Sequence, residues 1–149
     1  MTLVKNKLYA ALLTSLAVSV ASGMASVSVA DISVIVNPSN SISSLSDKDL
    51  KRVYLGKSNT LPGGVSVALS DQKFGSDSRS QFYLKCCGVT AQQARSRWAG
   101  ILFSGSGQPP AEVGADKDVV GWVAGNKDAI GYVDSSLVDS TVKVIKVLK

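Results

Sequence analysis

The stretch Gly75-Ser76-Asp77-Ser78-Arg79-Ser80-Gln81-Phe82 gathers a glycine turn, three hydroxyls and an arginine. It stands where a helix is expected to begin, because Ser78 followed by Gln81 is a capping-box pattern. A helix N-terminus leaves backbone N–H groups unpaired and carries roughly half a positive charge. Serines and an arginine there can cradle a small oxyanion. Arg79 alone is disfavoured in a first helical turn by up to about 1 kcal/mol, and a bound anion would reverse that sign. Asp77 works the other way, since its carboxylate can occupy the same positive end and repel a dianion. The same residues could simply cap the helix, with Arg79 paired to Asp77 or turned to solvent. On residue types alone, both readings stay open.

Other chemistries lack their residues. The chain has no histidine, which removes Ser-His, Cys-His and histidine-metal sites. Cys86 and Cys87 are the only cysteines, without zinc spacing, and the acids are dispersed along the chain. Asp47 and Asp49, two apart on a helix, face different ways and are explained by capping. A cysteine nucleophile needs a lowered pKa, yet Cys86 and Cys87 fall inside the expected helix, away from its positive end. No spacing signature supports a dyad of Lys73 with the nearby serines. No catalytic residue, metal site or cofactor is expected. Neighbouring helical cysteines point about 100° apart. They are therefore expected as buried thiols, or as a thiol that pairs between chains, with no disulfide inside one chain.

The elements that would position the stretch read as strands alternating with helices. Ile32 to Val36 is a β-branched apolar run, expected as a buried strand. Ser46 should cap a helix, with Asp49 at the capping-box position and Leu45 and Leu50 as its staple. That helix carries Leu50, Val53 and Tyr54 on one face and stops at Gly56. Lys57 to Gly64 reads as a loop, and Val65 to Leu69 as a second strand by alternation. A helix to about Gly88 follows, then one from Thr90 with Ala94, Trp98 and Leu102 sharing a face. Ser104 to Pro110 is a breaker-rich loop, and Asp116 should cap a last helix with Val119, Val120 and Val123. Ala129 to Val133 and Thr141 to Val147 are the remaining strand candidates. This order predicts a single α/β domain with a mixed sheet covered on its faces.

The first thirty residues read as a cleavable export signal. Lys5 and Lys7 precede an apolar run from Leu8 to Val20, and Ser28-Val29-Ala30 offers small residues at the cleavage site. Residues 31–149 would then form the domain. Lys5 and Lys7 are two of sixteen Lys and Arg, which leaves fourteen against eleven acids, a net of +3. That balance is too weak, and too evenly spread, to argue for nucleic acid.

Five segments in order resemble the periplasmic phosphate-binding proteins of ABC importers, which have the type II periplasmic binding protein fold. They are Val34 to Asn40, Leu45 to Leu50, Val53-Tyr54-Leu55-Gly56-Lys57, Gly75 to Phe82, and Ala129-Ile130-Gly131-Tyr132-Val133. The resemblance is to the second of two lobes, so it implies a single mixed-sheet lobe with half of the ligand grip. In that family the second lobe supplies an arginine and a Ser-Gly-Thr at the helix start. By position Ser76 matches the serine, Ser78 the threonine, and Asp77 replaces the glycine. The family arginine would fall near Gln72 or Lys73, neither of which has a guanidinium fork, and Arg79 lies one residue past the motif.

The resemblance thus implies a periplasmic module binding phosphate or a related oxyanion. Ser76, Ser78 and Arg79 would hold the ligand, beside Asp77, with Lys73 and Ser39 or Asn40 at the rim. The implied partners are ABC transporter membrane subunits, and a second copy or another protein that completes the cleft. The alternative is a non-catalytic interaction module that kept the lobe and lost the ligand.

Overall fold

The computed structural model describes residues 29–149. The export signal expected over residues 1–30 lies outside them except for its last two positions. Five strands form one mixed sheet: β1 (Ile32–Val36), β4 (Ala68–Gln72), β5 (Ala111–Gly114), β6 (Ala129–Asp134) and β7 (Lys143–Leu148). Their order is β5-β4-β6-β1-β7, with β4 parallel to β5 and β6, and β1 antiparallel to β6 and β7. A two-stranded ribbon of β2 (Thr60–Leu61) and β3 (Val65–Ser66) stands apart. Among the described residues there are four α-helices: α1 (Asp47–Tyr54), α2 (Asp77–Cys87), α3 (Ala91–Phe103) and α4 (Asp116–Gly125). Among the described residues, no helix is long and apolar enough to cross a membrane.

The sheet separates two layers because successive side chains on a strand alternate between its faces. Ile32, Val34 and Val36 of β1, with Ile130 and Tyr132 of β6, meet Leu50, Val53, Tyr54, Phe82 and Tyr83 from α1 and α2. Ile35, Ala129 and Val133 face the other way, against Val119, Val120 and Val123 of α4. Gly131 lets α4 come this close. A methyl group there would lie 2.6 Å from Val119 Cγ1 and 2.7 Å from Ser70 Oγ.

An aromatic group locks α1 and α2 to the sheet. Phe82 and Tyr132 stack with ring centres 3.7 Å apart, and the Tyr54 ring meets both edge-on. The Tyr54 hydroxyl donates to the Ser70 carbonyl at 3.0 Å, and Trp98 Nε1 donates to the Tyr54 carbonyl at 2.9 Å. The buried polar tips of Tyr54 and Trp98 therefore each find a backbone partner.

Several expectations hold to the residue, including β1, the Ser46 cap and the Thr90–Gln93 capping box. Others are corrected. The strand read as Val65 to Leu69 is divided: Val65 and Ser66 turn back on β2, and β4 runs on to Gln72. Strand β5 carries Ala-Glu-Val-Gly, too short and too polar to signal itself, and is held by pairing with β4. Leu102 does not share the buried face of Ala94 and Trp98; it is largely exposed near the end of α3. Cys86 and Cys87, expected as thiols, are joined as a vicinal disulfide. A loop with no intervening residue removes little freedom from the unfolded chain, so this bond contributes little to stability through chain entropy.

Replacing Gly131 with Ala forces Val119 and Ser70 aside in a packed layer. Gly131→Ala is expected to lower unfolding free energy by about 1–3 kcal/mol, read from urea midpoints at unchanged slope.

Candidate functional site

Helix α2 leaves the end of β4 for one face of the sheet, and α4 leaves the end of neighbouring β5 for the other. Adjacent parallel strands whose helices part in this way open a crevice at their carboxyl ends, where ligands of α/β sheets sit. At these strand ends Gln72 and Lys73 stand on one side and Gly114 to Asp116 on the other. Lys73 N–H donates to the Gly114 carbonyl at 2.8 Å between them. Gly75, at φ +89°, turns the chain from β4 into α2, a conformation that L side chains rarely adopt.

The helix begins two residues earlier than the Ser78–Gln81 pattern predicts. Ser76 is the cap, its Oγ accepting from the Arg79 N–H at 3.2 Å and donating to Gln72 Oε1 at 3.1 Å. Ser78 is freed from capping and is buried. Its hydroxyl lies 2.9 and 3.1 Å from the two carboxylate oxygens of Asp116. Asp77 is the exposed first residue of α2. Among the described residues, no acceptor pairs with the backbone N–H of Asp77 or Ser78.

Arg79 pairs with neither Asp77 nor solvent. It turns under the helix, only 6% exposed, with Nη2 3.1 Å from Asp71 Oδ2 and Nη1 3.0 Å from Glu112 Oε2. Nη1 also donates to the Gln72 carbonyl at 2.7 Å, and the guanidinium lies 5.4 Å from the Phe74 ring centre. Arg95 covers the same ring at 4.7 Å. With Pro109 and Pro110, the two arginines line a cleft of about 360 Å³ that includes Glu112. A separate cavity of about 320 Å³, over Val53, Leu69, Trp98 and Ile101, contains no residue of the α2 start.

Asp71 anchors the arginine from below. Its carboxylate accepts from the hydroxyls of Tyr132 and Tyr83, the latter at 2.8 Å, and from Gln72 N–H at 2.9 Å. Burial pushes the Asp71 carboxyl above its ordinary range, against the opposing pull of Tyr132, Arg79, Tyr83 and the Gln72 N–H. Burial, then the Asp71 charge, raises the phenols of Tyr54, Tyr83 and Tyr132, which keeps them protonated donors.

Asp116 does not cap α4, as its position suggests. The N-cap is Ala115, whose N–H is taken by Asp118 Oδ2 at 2.8 Å. Asp116 Oδ1 instead accepts from Gln72 Nε2 at 2.8 Å, from Ser78 Oγ and from the Asp134 N–H at 2.8 Å. The acids that look dispersed in sequence are thus gathered: Asp71, Glu112 and Asp116 surround the start of α2. Among the described residues, no acid cluster has metal-holding geometry.

Of the rim residues, Lys73 stays beside the crevice, exposed at the end of β4. Ser39 and Asn40 are corrected: they sit at the opposite end of the sheet. Strand β1 runs antiparallel to β6, so its carboxyl end lies beside the start of β6, whereas the α2 junction lies beyond Tyr132. Asn40 there binds the chain to itself, donating to the Lys127 carbonyl at 3.0 Å and accepting from Lys143 Nζ at 2.7 Å on its carbonyl.

Three solved structures share this architecture. A protein from Clostridium perfringens, described as a phosphate ABC transporter substrate-binding protein and solved with bound phosphate, superposes with a TM-score of 0.62 at 22% identity. The match covers 79% of this chain and 46% of that one. An ABC-type phosphate transport receptor from Vibrio cholerae gives 0.60 at 21% identity, over 79% and 47%. A protein from Planctomyces limnophilus, described as a possible phosphate binding protein, gives 0.53 at 16% identity, over 79% and 42%. The fold is that of a phosphate-binding-protein lobe. The chain spans less than half the length of each of these structures. No protein-family model matches the chain, and no curated protein matches it. Identities this low carry the fold and not the ligand.

A folded pKa raised above the unfolded one gives stability that is complete below the unfolded pKa and is lost as pH rises through the folded one. For Asp71 the net shift is upward. The stability advantage of wild type over Asp71→Asn, from urea melts, is therefore expected to shrink as pH rises through the ordinary carboxylate range and beyond it. An advantage that grows with pH would mean that Arg79 outweighs burial.

Proposed function

We propose that this chain is a non-catalytic solute-binding module that takes phosphate or a similar oxyanion at the start of α2. The observation that carries this reading is the pair of unpaired N–H groups of Asp77 and Ser78, at a capped helix start in the sheet's ligand crevice. Ser76 and Ser78 stand at that start, and Lys73 adds a cation at its edge. Similarity to a lobe of a structure solved with bound phosphate supports the ligand class. Arg79 shapes the helix start and does not contact the ligand.

In this reading residues 1–30 are the export signal and residues 31–149 the working domain in the periplasm. A lobe alone supplies one wall of a cleft. A second copy, another protein, or the membrane subunits of an ABC phosphate importer would supply the other. A second reading, an interaction module that no longer binds an anion, is favoured by one observation: Arg79 and Ser78 are already engaged by Asp71, Glu112 and Asp116.

Calorimetric titration of the full chain with phosphate and then sulfate separates the two. One wall with two backbone donors should give a dissociation constant on the order of 0.1–10 mM for phosphate. Absence of heat throughout that range would favour the interaction module.

A further inference from the structure

Three donors from three elements converge on one oxygen at the crevice. Gln72 Nε2 of β4, Ser78 Oγ of α2 and the backbone N–H at Asp134 of β6 lie 2.8, 2.9 and 2.8 Å from Asp116 Oδ1. An amide, a hydroxyl and a main-chain N–H closing on one oxygen form a donor set suited to an oxyanion. Asp118, not Asp116, satisfies the Ala115 N–H at the start of α4, so Asp116 makes no cap hydrogen bond there, and the α4 dipole favours its carboxylate without using its acceptors. Among the described residues no Lys or Arg is ion-paired with Asp116, so a counter-charge does not explain it either.

We infer that Asp116 is a resident anion: its carboxylate occupies the oxyanion seat of this crevice and makes Asp116 the residue that sets the site's affinity. The inference rests on the oxyanion reading of the α2 start and names what regulates it. While the carboxylate is in place, Ser78 Oγ and Gln72 Nε2 are spent on it, and a second anion at the Asp77 and Ser78 N–H groups meets a like charge. Strong binding requires that this carboxylate be displaced or neutralised, which is a task for whatever completes the cleft.

Asp116→Ala empties the seat and leaves its three donors. Thermal melts of the full chain in phosphate, in formate (the smallest carboxylate) and in chloride at matched ionic strength read the consequence. Phosphate and formate at about ten times their dissociation constants should raise the melting temperature of Asp116→Ala by about 3–6 °C. Chloride should not, and wild type should gain much less from either anion. A purely structural aspartate predicts equal loss in all three salts. Should Asp116→Ala fail to fold, Asp116→Asn keeps the side chain's shape without its charge, and calorimetry should find phosphate bound at least tenfold tighter than by wild type.

No anion-specific gain in Asp116→Ala, or no tighter binding by Asp116→Asn where that variant is the one in hand, overturns the inference. If wild type nonetheless binds phosphate, the oxyanion reading stands without a resident anion. If the variants gain while wild type binds nothing, the resident anion stands and phosphate binding by the native chain falls.

Discussion

Asp71 and Arg79 form a buried ion pair on which the start of α2 depends. One partner is on β4 and the other in the first turn of α2, and both are shielded from solvent. Tyr83 from α2 and Tyr132 from β6 close on the same carboxylate, so three elements share one charge. Removing one member of such a pair typically costs about 3–5 kcal/mol, because the other is left charged and unpaired. The pair is therefore poor evidence of net stabilisation but strong evidence of position. It fixes where α2 begins relative to the ends of β4 and β6. Arg79 Nε is left buried without a partner, which marks how tightly the guanidinium is confined.

That constraint decides what the crevice can offer. An arginine in a first helical turn is unfavourable against the helix dipole, and the chain offsets this with its own acids below the helix rather than with an external anion. Glu112 on β5 reaches the same guanidinium from a half-exposed position. On the other side of the junction Asp116 draws in Ser78 and Gln72. The Ser78, Gln72 and Arg79 side-chain donors are thus directed inward, and the unpaired backbone N–H groups of Asp77 and Ser78 and the exposed Lys73 are what remains. At this junction the polar groups of the fold close around three carboxylates, Asp71, Glu112 and Asp116.

Much of the fold is legible in the sequence because its signals are local. The β-branched run of β1, the Ser46 and Thr90 caps, and the valines of α4 each declare an element without outside help. Strand β5 does not, because Ala-Glu-Val-Gly becomes a strand only when β4 supplies its partner. The site is less legible for the same reason. Ser78 with Gln81 looks like a capping box, but Ser76 takes the cap once the turn at Gly75 sets the chain's direction, and Ser78 is left for Asp116. Asp71, Glu112 and Asp116 are far apart in sequence and meet only through the parallel pairing of β4 with β5. Family likeness assigns Ser39 and Asn40 to the rim of the site, whereas the antiparallel course of β1 places them at the far end of the sheet.

The backbone N–H groups of Asp77 and Ser78 are the unpaired donors at the start of α2, while the Arg79 guanidinium is held from within. Nitrogen-resolved NMR of the full chain under phosphate titration tests it most directly. Saturable shifts at the Asp77 and Ser78 amides, with the Arg79 side-chain signals unmoved, are the predicted result. Shifts centred on the Arg79 guanidinium, with those two amides unchanged, would contradict it.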